Sequence, residues 1–263
     1  MVENSPDYSR LRILTANLTG YDKEIATSII EDAQFPDIVT FQETWHYASS
    51  HTDFSIPGYT HYQKSAMNSA EKRKGRRHGG LLTYVKDCFY TSELLTNNKR
   101  LLPVQVGQVV FVNVYMPHNG HPDPTLYYNC ISELETIRIN SLALVVSGDL
   151  NPTGENVAPF NSFCASNCMQ YDRSITYTFI EPRAFNRSRL DFCLIESSQS
   201  IHIRQSCILE YTAIKGGHLP VLTQLSVQSA LLVSKNVETA EPQKFFRNVP
   251  ATLPKEFYDE VSN

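Results

Sequence analysis

The chain has 263 residues, 41% of them hydrophobic and 19% charged, with a formal net charge of −4. That size and balance suit one large α/β domain, or less well two small ones. The negative charge argues against a surface that binds nucleic acid everywhere, while leaving room for a local basic patch.

No run approaches the roughly 20 apolar residues of a membrane-spanning helix, and Met1 to Arg10 carries no apolar core of the secretory kind. Six scattered cysteines (Cys88, Cys130, Cys164, Cys168, Cys193 and Cys207) form no Cys-x-x-Cys pair. They are read as reduced core thiols of an intracellular protein without structural zinc. The sequons at Asn17 and Asn186 are accordingly read as unglycosylated.

Leu11 to Asn17 alternates apolar and polar residues, which predicts a strand ending on Asn17. Ile25, Ile29 and Ile30 fall at helical spacing and predict a helix over 21–33. Asp37 to Glu43 is a second strand, with a carboxylate at its C-terminal end. Residues 46–80 read as loop. Within them Lys72, Arg73, Lys74, Arg76 and Arg77 place five cations in six positions. Such a loop either faces phosphate or is simply solvated. Strands are expected over 81–85 and 109–115, the latter closing on Tyr115, with a weaker one over 89–95. A helix over 122–140 carries an apolar stripe of Leu126, Cys130, Leu134 and Ile137, read as core.

Val145-Val146-Ser147-Gly148-Asp149-Leu150-Asn151 is the most informative stretch. Two valines enter a buried strand, a glycine lets the backbone turn, and Asp149 and Asn151 follow. In extended chain, residues two apart face the same side, so both could address one substrate atom. Ligands of α/β folds bind at the carboxyl ends of strands. Taken alone, the stretch is equally a polar strand end capping the next helix. A short helix over 156–168, a strand over 177–180 and a basic turn over 182–188 follow. Arg189 to Ile195 is a strand with Asp191 inside an apolar run, and a charge there requires a partner or a task. Ile201 to Leu209 is strand-like. Gly216-Gly217-His218 is a tight turn that delivers a histidine to the start of another strand. No internal repeat is visible. The globular pattern ends near Val227, giving a domain over 11–227 between an N-terminal arm (1–10) and a C-terminal tail or linker (228–263).

Strand ends thus carry Asn17, Glu43, Tyr115, Asp149 with Asn151, Asp191 and His218. The chain lacks a Gly-x-Ser-x-Gly nucleophile elbow and a Gly-rich phosphate loop. The chemistry left is metal-assisted hydrolysis with water as the nucleophile.

Eight short stretches recur in a familiar order: Ala16-Asn17, Phe41-Gln42-Glu43-Thr44-Trp45, Gly79-Gly80-Leu81, Asn113-Val114-Tyr115-Met116-Pro117, Gly148-Asp149-Leu150-Asn151, Tyr177-Thr178-Phe179, Arg189-Leu190-Asp191-Phe192 and His218-Leu219-Pro220-Val221. In these the sequence resembles the endonuclease/exonuclease/phosphatase superfamily, and within it the apurinic-type endonuclease domain of LINE (non-LTR) retrotransposons. The resemblance implies a four-layered α/β sandwich of two mixed sheets flanked by helices. It implies a Mg²⁺- or Mn²⁺-dependent endonuclease that nicks one strand of duplex DNA, leaving a 3′-hydroxyl for target-primed reverse transcription. A fused reverse transcriptase in a longer polyprotein and a nuclear site of action would go with that role.

The resemblance also implies residue roles. Glu43 would bind the metal, with Asn17 beside it; hard oxygen donors suit such ions. Asp149 would orient or deprotonate the attacking water, and Asn151 would help hold the phosphate. His218, assisted by Tyr115, would stabilise the developing charge, and Asp191 would fix its tautomer. Thr178 would lie in or near a DNA groove. Arg183, Arg187 and Arg189, with Lys72 to Arg77, would contact the DNA backbone. One position departs from the pattern: where the family has Ser-Asp-His-x-Pro, this chain has Gly216-Gly217-His218-Leu219-Pro220. The alternatives are therefore a catalytically weak or inactive DNA-binding homologue and a small-molecule phosphoesterase.

Overall fold

The structure, a computed structural model, describes residues 7–49, 52–66, 78–198, 200–210, 214, 216–232 and 234–235. The chain runs β1 (Tyr8–Asn17), α1 (Lys23–Asp32), β2 (Ile38–Gln42), β3 (Tyr59–Lys64), β4 (Leu81–Lys86), β5 (Thr91–Glu93), β6 (Leu101–Val106), β7 (Val109–Tyr115), α2 (Leu126–Ile139), β8 (Ala143–Asp149), α3 (Val157–Ser166), β9 (Met169–Gln170), β10 (Phe179–Ile180), β11 (Arg187–Ser188), β12 (Asp191–Glu196), β13 (Ile201–Ile208) and β14 (Val221–Gln228). Two six-stranded sheets result, in the orders β13-β14-β1-β2-β4-β3 and β5-β6-β7-β8-β12-β9, with β10 and β11 forming a separate ribbon.

Alternation along the strands sets the layering, because successive side chains leave opposite faces. In β1, Leu11 and Ile13 join Val104, Phe111, Val145 and Ile195 of the second sheet in the seam between the sheets. Leu14 and Ala16 point the other way, onto Ala26, Ile29 and Ile30 of α1. In β8, Val145 faces the first sheet, while Leu144 and Val146 meet Cys130 and Leu134 of α2 and Phe160 and Phe163 of α3. The outcome is helix, sheet, sheet, helix: the four-layered sandwich expected.

Local chemistry explains where the elements depart from their expected bounds. α1 starts at Lys23 because Asp22 caps it, accepting from the backbone N–H groups of Glu24 and Ile25 at 2.9 and 3.1 Å. α2 starts at Leu126, and its buried face is Tyr127, Cys130, Ile131 and Leu134, rotated from the stripe expected. β3 and β6 were not anticipated. β3 is a sheet-edge strand, buried fully only at Tyr59. β6 contains Pro103, which has no N–H for a ladder; the three residues of β5 pair with Val104 to Val106 and stop short of it. β1 begins three residues before Leu11. After β14, Ser234 bridges Phe89 and the N–H of Lys235 donates to the carbonyl of Cys88 at 2.6 Å, so the start of the expected tail lies on the domain.

A repeat invisible in the sequence exists in the topology. β1 and β2 are parallel and joined through α1, and β7 and β8 are parallel and joined through α2. The sheets therefore present matching carboxyl ends on one edge of the sandwich. The seam beneath that edge is polar. Gln42 Nε2 donates to Asn113 Oδ1 across the sheets at 2.8 Å, and Asn113 Nδ2 donates to the carbonyls of Phe41 and Leu82. Thr40 and Ser147 hydroxyls meet at 3.0 Å.

Candidate functional site

Asn17, Glu43, Tyr115, Asp149, Asn151 and His218 all line one open cavity of about 370 Å³ at the strand ends. The structure thus brings together the residues singled out in the sequence, with Asp191 behind His218. His78, His118 and Phe179 also line it. The sequence reasoning did not single these out, although His118 stands three residues past the strand end at Tyr115.

Asp149 ends β8, paired in register with Tyr115 on one side and Asp191 on the other. Gly148 makes this possible: with φ +141° it passes so close to β7 that a Cβ would lie 2.1 Å from the carbonyl oxygen of Val114. Asp149 is 2% exposed. Its Oδ2 accepts from Asn17 Nδ2 at 3.1 Å and lies 3.9 Å from His218 Nε2, while its Oδ1 is buried with no partner. Burial, opposed by the charge of His218 and aided by Asp191 and Glu43, pushes its carboxyl up to about 7. Asn151 is not in extended chain. It adopts φ +46°, and its Nδ2 donates to the carbonyl of Met116 at 3.0 Å. Both residues reach the cavity because the backbone turns between them, and not through the two-residue strand period expected.

His218 Nδ1 lies 3.0 Å from Asp191 Oδ2. Burial alone would lower the imidazole, but the charge and hydrogen bond of Asp191, then Asp149 and Glu43, outweigh it and raise it to about 9. These carboxylates favour the protonated ring, which donates from both nitrogens, Nδ1 to Asp191 and Nε2 on the side of Asp149. Asp191 is held in turn by Thr178, whose hydroxyl donates to Asp191 Oδ2 at 2.8 Å and accepts from the N–H groups of Leu190 and Asp191. Thr178 is 0% exposed. This corrects the expectation that it lies in a DNA groove: a sealed hydroxyl with three partners has no reach to a ligand, and it positions Asp191 instead.

Ligand atoms of Asp149, Asp191 and His218 lie within 4.8 Å of one another. Asp191 and His218 nevertheless bond each other directly, with Asp149 3.9 Å from the other ring nitrogen, so the trio is not an open metal-ligand set. The oxygen donors of Glu43 and Asn17, which line the same cavity, fit a hard cation better. Glu43 is buried at φ +55°, with Trp45 Nε1 donating to Oε2 and the Gly79 N–H to Oε1 at 3.2 Å. A carboxylate oxygen has a second lone pair beyond each such bond. Asn17 Oδ1 accepts from the Thr19 N–H, and the unpartnered Asp149 Oδ1 adds a further buried acceptor. This all-oxygen set suits Mg²⁺ or Mn²⁺. Burial, followed by the charges of Glu43 and Asp149, raises the Tyr115 hydroxyl well above its ordinary value and keeps it a donor. Thr44 and His46 follow Glu43; the Thr44 hydroxyl and His46 Nδ1 are 2.6 Å apart, and burial lowers His46 to about 4.

Gly217 gains a physical explanation. It adopts φ +83°, and a Cβ there would lie 2.3 Å from the carbonyl oxygen of Ile180. Its own carbonyl accepts from the Ile180 N–H at 2.9 Å, and the Leu219 N–H donates to Thr178 at 2.7 Å. The turn carrying His218 is stitched to the β10–β11 hairpin, and that contact leaves no place for a side chain at 217. The departure from the expected Ser-Asp-His-x-Pro pattern is a backbone conformation and not only a missing carboxylate.

Of the basic residues, Arg183 and Arg187 are exposed on the hairpin, with Phe185 between them 75% exposed. Arg187 lies over the Tyr177 ring. Arg189 is revised: its guanidinium stacks on Tyr171 and Phe192 and donates to the Ile175 carbonyl at 2.6 Å, so it is engaged in packing the strand. Lys72, Arg73, Lys74, Arg76 and Arg77 lie outside the described residues.

No family model and no curated protein matches the chain. Solved structures do. A 3′ phosphatase from Neisseria, bound to a product DNA hairpin, is 14% identical with a TM-score of 0.63 over 81% of this chain and 98% of that one. An AP endonuclease from Archaeoglobus fulgidus is 16% identical with a TM-score of 0.59 over 81% and 98%. The APE2 catalytic domain of Xenopus laevis is 15% identical with a TM-score of 0.62 over 86% and 94%. At these identities the likeness establishes the fold.

Proposed function

We propose that the chain is a divalent-metal-dependent phosphodiesterase acting on DNA: an endonuclease that nicks one strand of a duplex and leaves a 3′-hydroxyl, in the manner of a LINE retrotransposon endonuclease domain. The observation that carries this reading is the division of one cavity into two chemistries. His218, bonded to Asp191, lines it together with the oxygen donors of Glu43 and Asn17 and with Asp149, whose Oδ1 has no partner.

In this reading Asp149 Oδ1 accepts a hydrogen bond from the attacking water and takes its proton, for which a carboxyl raised by burial is suited. His218 Nε2 and the Tyr115 hydroxyl donate to the phosphate oxygens as charge develops. Asn17 holds Asp149 in place, and Asn151 steadies the phosphate from its turned backbone. When bound at Glu43 with Asn17 beside it, Mg²⁺ or Mn²⁺ supplies charge neutralisation for the phosphate. Arg183, Phe185 and Arg187 project from the hairpin beside the cavity, where a duplex groove would pass. The structural neighbours named for AP endonuclease and 3′ phosphatase activity on DNA favour a nucleic-acid ester over a small-molecule one. A nuclear site of action and a fused reverse transcriptase would follow from the LINE reading.

Gly217 supports a second reading, in which a domain short of one acidic group binds DNA and cleaves it weakly or not at all. Nicking of supercoiled plasmid in Mg²⁺ and in Mn²⁺, with His218→Gln alongside, separates the two. Metal-dependent nicking that the substitution abolishes is expected. Duplex binding without nicking in either metal would select the second reading.

A further inference from the structure

The strand that delivers Glu43 turns sharply at its end. β2 closes on Gln42, and Glu43 and Trp45 then adopt φ of +55° and +57°. Left-handed backbone is uncommon at residues with a side chain, and it persists where the surroundings over-determine it. Here they do. The carbonyls of Glu43 and Thr44 accept from the N–H groups of Gly20 and Tyr21 at 2.8 and 3.0 Å, and the N–H groups of Thr44 and Trp45 donate to the carbonyls of Gly80 and Gly79 at 3.2 and 3.0 Å. The turn is thus tied to the loop after β1 and to the chain entering β4. It sets Trp45 against Glu43: the indole N–H donates to Oε2, while Oε1 accepts from the Gly79 N–H. The ring itself is packed on backbone, since a Cβ at Gly20 would lie 2.8 Å from Trp45 Cε3. Glu43 lines the cavity, and Trp45 is not among the described residues that do.

We infer that Trp45 is a positioning residue for the cation: its indole N–H fixes the orientation of the Glu43 carboxylate, and that fixed orientation favours a small octahedral ion, Mg²⁺ or Mn²⁺, over Ca²⁺. The inference rests on the metal-dependent reading above and adds to it the residue that sets the choice of ion. A free glutamate carboxylate turns about its last bond and can follow an ion of any size. An N–H bond to each oxygen removes that freedom, and each oxygen keeps a second lone pair for an ion. Mg²⁺ demands near-ideal geometry at about 2.0–2.1 Å, whereas Ca²⁺ accepts irregular shells at about 2.3–2.6 Å. A carboxylate held in one orientation therefore helps the small ion more than the large one. Partners that orient a metal-binding group are typically worth about 10–100-fold in affinity. The indole stands one hydrogen bond from the ion's ligand and belongs to the only tryptophan of the chain, so the bond can be read directly.

The test is Mn²⁺ binding to the full chain, read from the electron paramagnetic resonance signal of the free ion, with Mg²⁺ and Ca²⁺ read by competition. Binding that is lost in Glu43→Gln marks the site. Two changes remove the N–H: Trp45→Phe, and replacement of the single tryptophan by β-(3-benzothienyl)alanine, which keeps the two-ring shape with sulfur in place of the N–H. The second keeps the test valid if the smaller ring disturbs folding. Both should weaken Mn²⁺ and Mg²⁺ by about tenfold or more and Ca²⁺ by less, so that the preference for Mg²⁺ over Ca²⁺ narrows. In the wild type, ultraviolet resonance Raman spectra should show the indole N–H bond weakening as Mg²⁺ draws charge from the carboxylate, a change that packing alone does not produce. Wild-type Mn²⁺ affinity in the sulfur analogue, or an indole N–H band that ignores bound Mg²⁺, would overturn the positioning role. Equal losses for Mg²⁺ and Ca²⁺ would overturn the selection. Each of these outcomes leaves the phosphodiesterase reading standing. A wild type that binds none of the three ions would overturn the inference together with the metal-dependent reading.

Discussion

Gly217→Ala tests whether the turn under His218 is built around a missing side chain. Two costs add. An L-residue in the left-handed region loses about 1–2 kcal/mol. Its Cβ, 2.3 Å from the Ile180 carbonyl oxygen, must displace backbone that is itself hydrogen-bonded, an overpacking cost of about 1–3 kcal/mol. Gly58 separates them, because it has the same φ of +83° and nothing within 4 Å of a built Cβ. For a domain of this size each kcal/mol moves Tm by about 2–4 °C. Gly58→Ala should therefore lower Tm by about 2–8 °C, and Gly217→Ala by about 4–20 °C. Differential scanning calorimetry reads both. Gly217→Asp carries the same Cβ, so it should be destabilised in like measure and should not restore activity by supplying the family's carboxylate. Equal Tm values for the two alanine variants would show that the hairpin yields freely at Ile180 and that the steric argument is wrong. A Gly217→Asp protein as stable as the wild type and nicking faster would refute it outright.

Asp149→Asn and His218→Gln should each slow plasmid nicking by about 10²–10³-fold with little change in duplex affinity; a matching loss of affinity would place them in binding and not in chemistry. Thr178→Val strands the N–H groups of Leu190 and Asp191 and should lower the urea unfolding free energy by about 1–3 kcal/mol, whereas Thr178→Ser should restore it. A valine variant of full stability would remove the clasp from the argument. His46, buried neutral and lowered to about 4, binds a proton more readily when unfolded. Its contribution is complete above pH 6.5 and is lost as pH falls towards 4. Allowing for solvent screening, stability at pH 5 should be roughly 1–2 kcal/mol below that at pH 7 from this group, and His46→Gln should flatten the profile. Parallel profiles for variant and wild type would assign the acid sensitivity elsewhere.

Strand ends were legible because burial writes β1, β7 and β8 as apolar runs, and each run stops at a polar residue that the sheet then points into one cavity. Asp191 was legible for a related reason, as a charge inside an apolar strand had to have a partner, and His218 is that partner. What the sequence concealed is set by backbone geometry and by contacts distant along the chain. Nothing in Asn151 or Glu43 announces a left-handed φ, and nothing in Gly217 announces the carbonyl of Ile180 above it. The resemblance set Thr178 in or near a DNA groove, whereas the pairing of the hairpin base with the turn at Leu219 seals it inside. Arg189 was read by charge, whereas its position is decided by the two aromatic rings it covers. β6 was not anticipated, and its Pro103 is harmless where β5 has already ended.

The order in which the site is assembled follows from the path of the chain. The first sheet is begun by β1 to β4, left for the whole of the second sheet, and finished only when β13 and β14 return to it. β14 then pairs with β1 over eight residues, from Tyr8 opposite Gln228 to Thr15 opposite Val221. His218 stands at the head of that returning strand. During synthesis from the N-terminus, Glu43 and Asp149 therefore leave the ribosome well before the histidine, and the pairing that fixes it spans more than two hundred residues, a separation that makes closure slow. In the nuclease reading, a nascent or truncated chain that has not drawn β14 alongside β1 holds a cavity without its cation. The emergence of β14 and its pairing with β1 is then the step that arms the site.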